Sequence, residues 1–219
     1  MHRFDIPLDL TAVPAIENFV GRQGELGRLW HQLQPGSSQP RKVSILHGLG
    51  GMGKTQLAIR FARDHKDDFT AIFWLNGKNR GTLLQSLSSV LPRLPGQYQN
   101  FEAISEEEVK QRAKQVLKWL ATQGNSRWLM IFDNIDQYYS ATDSAIDGCT
   151  RGAYDICEFF PTADHGSILI TSRLQRLTEL GTSFPVQRLQ PGDAIQLLLQ
   201  SSGLSAQNAT GNVQNNPGT

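Results

Sequence analysis

The sequence predicts an α/β fold, a five-stranded parallel sheet with helices on both faces. Three observations predict it. Short runs rich in β-branched and aromatic residues recur at 41–47, 70–76, 127–132, 167–171 and 184–189. Segments with helical spacing of apolar residues fall between most of them. A glycine-rich string, Gly48 to Thr55, joins the first run to the helix that follows. Strands that alternate with helices pair in parallel and bury both sheet faces, and such sheets bind ligands outside the carboxyl ends of their strands.

Asn18 to Gln34 reads as a lead-in followed by an amphipathic helix, with Leu26, Leu29, Trp30 and Leu33 at helical spacing and Pro35-Gly36 ending it. Pro35 to Pro40 is a short linker. Arg41 to His47 supplies the first strand, and Gln56 to Arg63 places Leu57, Ala58, Phe61 and Ala62 on one helical face. Thr70 to Asn76 is the second strand, and Thr82 to Leu91 a helix halted by Pro92 and Pro95. Ser105 and Glu108 form a capping box that opens a helix striped by Val109, Ala113, Val116, Leu117 and Leu120, with Gly124 beyond it. Arg127 to Phe132 and Ser167 to Thr171 are apolar enough to be buried on two faces. Phe184 to Leu189 contains Pro185, which cannot donate to a ladder and therefore belongs at a sheet edge. Trp74, Trp119 and Trp128 sit in or beside these apolar runs and read as core.

Gln137 to Gly166 fits the scheme least, because about thirty residues separate two strands and only Tyr154 to Phe160 looks helical. A long, partly ordered surface excursion is expected there. Gly203 to Thr219 is rich in Asn, Ser, Gly and Gln and is expected to be a flexible tail. The division that follows is a lead segment at 1–18, a core at 19–190, the start of a helical lid at 191–202, and the tail at 203–219.

The chain has 219 residues, with 21 Lys plus Arg against 20 Asp plus Glu. A net charge of +1 supplies no field to hold nucleic acid or an anionic membrane. No apolar run approaches the roughly 20 residues that span a bilayer, and Met1 to Thr11 lacks the basic-then-apolar order of a signal peptide. A cytoplasmic protein is expected. Cys149 and Cys157 are the only cysteines, without paired histidines, and read as free thiols.

Gly48, Leu49, Gly50, Gly51, Met52, Gly53, Lys54 and Thr55 form a complete G-x-x-x-x-G-K-[ST] string. A polyphosphate is anionic, and a glycine-rich turn opening a helix meets it with backbone N–H groups and the positive helix end. Gly51, Met52, Gly53, Lys54 and Thr55 are the expected N–H donors, and Gln56 extends the binding set. Lys54 is expected to reach the terminal phosphates and the Thr55 hydroxyl to ligate Mg²⁺. This predicts a P-loop NTPase fold with a nucleoside triphosphate and Mg²⁺ as its ligands. Asp133 ends the apolar strand Trp128 to Phe132, where a carboxylate can hold the metal or its waters opposite the loop. Asn134 follows, and an amide cannot accept a proton from attacking water. Asp136 could substitute, or be a solvated loop acid. Arg173, in Thr171-Ser172-Arg173, could sense the terminal phosphate through paired hydrogen bonds. His47 reads as a strand-end residue.

With these residues in place the chain resembles an NB-ARC domain of the STAND class, the nucleotide switch of NOD-like immune receptors and apoptosis activators, with a fungal flavour. Phe19-Val20-Gly21-Arg22 resembles the family's opening motif, His47 to Thr55 its phosphate loop, Phe69 to Asn76 its second strand, Leu129 to Asp136 its Walker B element and Gly166 to Arg173 its sensor strand. Val186 to Leu199 resembles the approach to the helical lid and the lid's first helix. The resemblance implies that Val20 and Arg22 border the adenine, Lys54 and Thr55 hold phosphate and Mg²⁺, Asp133 assists the metal, and Arg173 reads the γ-phosphate. It also implies self-association within a full-length receptor. The Gly-Leu-Pro-Leu motif, the winged-helix domain and its ADP-gripping histidine are missing from this sequence, which therefore resembles a core without its latch.

Three functions are compatible with these residues. One is a molecular switch with slow ATP hydrolysis, favoured by Asn134. The others are a P-loop kinase, since a phosphate cradle does not specify an acceptor, and an interaction or dominant-negative module.

Overall fold

The computed structural model describes residues 4–11, 13, 18–36, 40–96, 105–138 and 153–202. Its five strands are β1 (Lys42–His47), β2 (Ala71–Asn76), β3 (Trp128–Asp133), β4 (Ser167–Ser172) and β5 (Thr182–Pro185). All pair in parallel, in the order β2-β3-β4-β1-β5. The helices are α1 (Gln23–Leu33), α2 (Lys54–Asp64), α3 (Arg80–Ser88), α4 (Glu106–Leu120) and α5 (Pro191–Ser202).

The alternation of β3 shows how the layers form. Trp128, Met130 and Phe132 pack with Leu83 and Leu87 of α3 and Val116 and Leu120 of α4. Leu129 and Ile131 pack on the opposite face with Leu29 and Leu33 of α1 and Leu57 and Phe61 of α2. These five residues of β3 are fully buried, each such side chain stabilising the fold by roughly 1.5–3 kcal/mol. A strand so uniformly apolar can only lie between two helical layers.

Local signals set most boundaries. Ser105 Oγ accepts the Glu108 N–H at 3.3 Å and the Glu108 carboxylate accepts the Ser105 N–H at 2.7 Å, so the capping box starts α4 where the sequence places it. Val109 and Leu117 are only half-buried, leaving Ala113, Val116 and Leu120 as its buried stripe. The α3 helix starts two residues earlier than its apolar spacing suggests, because Asn79 caps it by accepting the Thr82 N–H at 2.9 Å. Tyr154 to Phe160 forms a single 3-10 turn, Ile156–Phe159, instead of a helix. Trp128 is core, whereas Trp74 and Trp119 are half-buried.

The fifth strand is an edge strand, as Pro185 requires, but it runs from Thr182 to Pro185 and not from 184 to 189. Only Phe184 of the strand is buried. Thr182 and Ser183 are polar and exposed, so hydropathy gives no sign that they pair with Ser44 and Ile45. After the Val186 N–H donates to the His47 carbonyl at 2.9 Å, the chain leaves the sheet.

The lead segment docks at the residue preceding the outer strand β2. The Ile6 N–H donates to the Thr70 carbonyl at 2.7 Å, and Arg93 Nη2 donates to the Pro7 carbonyl at 2.7 Å. Ile6 joins the α3/α4 side of the core and Leu8 packs on the α1/α2 side, so the segment crosses from one layer to the other beside the amino end of β2. Among the described residues no helix is long and apolar enough to cross a membrane, and Cys157 is a free thiol. Cys149, residues 139–152 of the 137–166 excursion and the 203–219 tail lie outside the described residues.

At the amino end of the sheet, both ring nitrogens of His165 are shut off from solvent without a well-formed hydrogen bond, beside the Trp128 ring at 6.0 Å. Burial holds its pKa below the usual 6.5, against weaker opposing effects of the Ala121 main chain and Asp164. The unfolded chain therefore binds this proton more readily than the folded one below pH about 6.5, and stability falls as pH falls through that point. We expect His165→Leu to reduce the loss of chemical-denaturation stability between pH 7.5 and 5.5. An unchanged pH dependence would contradict this.

Candidate nucleotide-binding site

The register of the three central strands brings their carboxyl ends together. His47 pairs with Ser172, and Phe132 with Ile170, so β1, β3 and β4 finish at one side of the sheet with His47, Asp133 and Ser172. Gly48 to Gly53 then carries the chain from β1 to α2. Gly51 and Gly53 have φ of +78° and +81°, a left-handed conformation that side-chain-bearing residues rarely adopt. The first intrahelical bond of α2 runs from the Leu57 N–H to the Gly53 carbonyl, which leaves the N–H groups of Lys54, Thr55 and Gln56 without helical acceptors and suited to an anion.

Two connected cavities meet at this loop. One, about 420 Å³, is lined by Gly50, Gly51, Gly53, Lys54, Thr55, Gln56 and, across from them, Asn134, Asp136 and Thr171 to Arg173. The other, about 330 Å³, lies between Met52 and Gly53 on one side and Asn18, Phe19, Val20 and Arg22 on the other. Gly50, Gly51, Gly53, Gln56 and Leu197 line both. A cavity rimmed by loop N–H groups and Lys54 thus adjoins a half-apolar compartment. Gly48 sits behind the loop, where a Cβ would lie 3.1 Å from the Val186 carbonyl oxygen.

Lys54 Nζ donates to the Gly48 and Leu49 carbonyls, both at 2.8 Å, folding the ammonium onto its own loop. Burial lowers its pKa below 10.5; Asp136 opposes this, Arg173 adds to it and Asp133 opposes it. Burial, with help from Lys54, likewise lowers the pKa of His47, whose Nε2 is 2.9 Å from Ser183 Oγ. This contact ties His47 to β5.

Thr55 Oγ1 donates to Asp133 Oδ1 at 2.8 Å, and Thr171 Oγ1 donates to the same oxygen at 2.6 Å. A hydroxyl and a carboxylate are thus in contact beside the phosphate cavity. The described residues contain no cluster of three or more His, Cys, Asp or Glu side chains that could cage a metal. This donor set fits Mg²⁺, which takes hard oxygens and commonly keeps waters and phosphate oxygens alongside one or two protein ligands. Thr55 and Asp133 would hold it.

Arg22 behaves differently from a free base-contacting residue. It adopts φ +65° ahead of α1. Its Nη2 donates to the Met52 carbonyl at 2.8 Å and the Gln187 carbonyl at 3.0 Å, while Nη1 pairs with Glu25 at 2.7 Å. One guanidinium therefore fastens the opening motif, the phosphate loop and the segment after β5. Sequence reasoning missed Asn18, Arg188, Leu189 and Leu197 as cavity residues. Each comes from a loop or from α5, whose positions depend on tertiary packing, so no local pattern announces it.

Arg173 faces the loop from the end of β4, and a Cβ at Gly50 would lie 3.7 Å from its Cζ. Its main-chain N–H donates to Asp136 Oδ1 at 2.8 Å, and its Nε pairs with Asp136 Oδ2 at 3.1 Å. Asn134 has φ +65° and donates its N–H to Thr171 Oγ1 at 2.9 Å, with its side chain exposed at the same cavity.

The parallel sheet, the glycine loop opening α2 and the Thr55–Asp133 contact define a P-loop NTPase fold. The chain belongs to the NB-ARC domain family, whose sequence model matches residues 22–207. Among solved structures it is similar to Cdc6p from Pyrobaculum aerophilum, with a TM-score of 0.55 at 14% identity over 90% of this chain and 54% of that one. It is also similar to a Signal Transduction ATPase with Numerous Domains (STAND) protein with a tetratricopeptide repeat sensor from Pyrococcus horikoshii, with a TM-score of 0.45, 19% identity and coverage of 90% and 27%. A third similarity is to the ORC2 protein of Aeropyrum pernix, described in ADPNP–ADP complexes, with a TM-score of 0.45, 18% identity and coverage of 86% and 55%. The chain thus spans between 27% and 55% of the length of these proteins. Comparison with curated proteins gives no match.

The Arg22 and Glu25 side chains are only 8% and 15% exposed, so Arg22→Ala leaves a largely buried carboxylate without its counter-charge. We expect it to lower unfolding stability by about 3 kcal/mol. Arg22→Lys should rescue little, because one ammonium cannot span the same acceptors. A loss below about 0.5 kcal/mol, typical of a surface substitution, would contradict the clamp.

Proposed function

We propose that the chain is the ATP/ADP-binding core of a molecular switch, in which nucleotide occupancy changes how the core packs against the helical lid and neighbouring copies. The observation that carries this reading is the contact between Thr55 and Asp133 at the foot of a loop closed by Lys54. In this reading the loop N–H groups and Lys54 bind the phosphate tail. Val20, Arg22, Met52 and Gln56 border the base compartment, and Thr55 and Asp133 hold Mg²⁺, which neutralises phosphate charge when bound. Arg173 faces the terminal phosphate.

Two features favour a switch over a fast enzyme. Asn134 stands beside Asp133, and an amide cannot take the proton of attacking water. Leu197 of α5 faces both cavities while Ile195 and Leu198 on the same helix are 58% and 69% exposed, so a ligand-facing element also presents apolar surface outward. Hydrolysis then serves to reset the state, with turnover below about 1 s⁻¹, the low end of ordinary enzymes. Association within a longer NOD-like receptor and a cytoplasmic location belong to the same proposal.

The test is mass spectrometry of nucleotide released from the purified protein, with calorimetry of ADP binding to wild type and Lys54→Ala. We expect an adenine nucleotide in the first. In the second we expect a roughly 10- to 100-fold loss of affinity, corresponding to about 1.5–3 kcal/mol for a charged hydrogen bond. Equal affinity of the two proteins, or turnover well above about 1 s⁻¹, would overturn the proposal.

A further inference from the structure

We infer that Asp136 is a positioning residue that sets the preference for triphosphate over diphosphate by aiming the Arg173 guanidinium into the phosphate cavity. The inference rests on the nucleotide reading above. Both residues line that cavity, facing Gly50 to Thr55. Asp136 grips Arg173 twice: Oδ1 accepts the main-chain N–H at 2.8 Å, and Oδ2 holds Nε at 3.1 Å. Nη1 and Nη2 make no hydrogen bond to protein among the described residues. The guanidinium is therefore held by its inner nitrogen while its outer pair remains available, the arrangement a planar fork needs to meet phosphate oxygens two at a time.

The Asp136 loop is itself braced against β4. The Ile135 N–H donates to the Thr171 carbonyl at 2.9 Å and the Asn134 N–H to Thr171 Oγ1 at 2.9 Å. The Arg173 side chain is 66% exposed, so without Asp136 a long, flexible arm would search many rotamers before meeting a phosphate. Only a nucleotide with a γ-phosphate extends to the end of the loop where Arg173 waits, so aiming this side chain favours ATP over ADP.

A rival account makes the opposite prediction. A carboxylate beside a polyphosphate repels it, so if Asp136 acted only through its charge, neutralising it would tighten binding, and more so for ATP. Asp136→Asn retains an acceptor for the Arg173 N–H while removing the charge that holds Nε. Equilibrium binding of Mg²⁺-ADP and of the Mg²⁺ complex of the non-hydrolysable β,γ-imido analogue of ATP is measured for wild type, Asp136→Asn, Arg173→Gln and the double variant, with thermal melts as a folding control. We expect Asp136→Asn to reduce the preference for the analogue over ADP by roughly two- to five-fold, the range for a partly exposed ion pair, and to change nothing further in the Arg173→Gln background. Asp136→Glu should restore part of the preference. A preference that is unchanged or raised in Asp136→Asn, or an equal effect with and without Arg173, overturns the inference. Wild type that binds neither nucleotide overturns the nucleotide reading itself, and this inference with it.

Discussion

The phosphate loop, Asp133 and Arg173 all hang from the parallel pairing of β1, β4 and β3. Lys42 to His47 lies residue for residue beside Ser167 to Ser172, and Leu129 to Phe132 beside Ser167 to Ile170. This register puts the phosphate loop, Asp133 and Arg173 at one end of the sheet although they are far apart in sequence. It is enforced by burial: side chains along β3 alternate between two closed layers, so a slip of one residue would drive its entire set to the wrong face. Packing thereby fixes the 2.8 Å between Thr55 and Asp133, the pair proposed to hold Mg²⁺.

Around that frame the site satisfies its own charges. Lys54 rests on two loop carbonyls, Thr55 and Thr171 share one oxygen of Asp133, Arg173 rests on Asp136, and Arg22 rests on Glu25 and two carbonyls. These partners differ in kind. Arg22 joins segments distant in sequence and is nearly buried, so exchanging its partners would loosen the loop itself. Lys54 bonds only to neighbouring main chain and its ammonium is already partly desolvated, which makes a phosphate anion a stronger partner than the carbonyls it would leave.

Much of this was legible in the sequence where a local rule applied. The glycine string, the capping box at Ser105 and Glu108, and the apolar stretch ending in Asp133 each carry their own physical signature, and each lies where that signature places it. Legibility failed where pairing or packing overrode hydropathy. Thr182 and Ser183 pair with β1 as exposed polar residues, and beyond Val186 the chain leaves the sheet, with Arg188 and Leu189 lining the second cavity. The role of Arg22 as a joint could not be read either, because its acceptors at Met52 and Gln187 are main-chain atoms, which no residue pattern encodes.

The central claim is that Gly48 to Thr55, with Asp133, grips a metal-bound phosphate tail. A crystal structure with Mg²⁺-ADP tests it most directly. The account predicts that Lys54 Nζ leaves the Gly48 and Leu49 carbonyls for a β-phosphate oxygen and that Mg²⁺ lies about 2.1 Å from Thr55 Oγ1. A nucleotide bound elsewhere, with Lys54 still resting on its own loop, would contradict it.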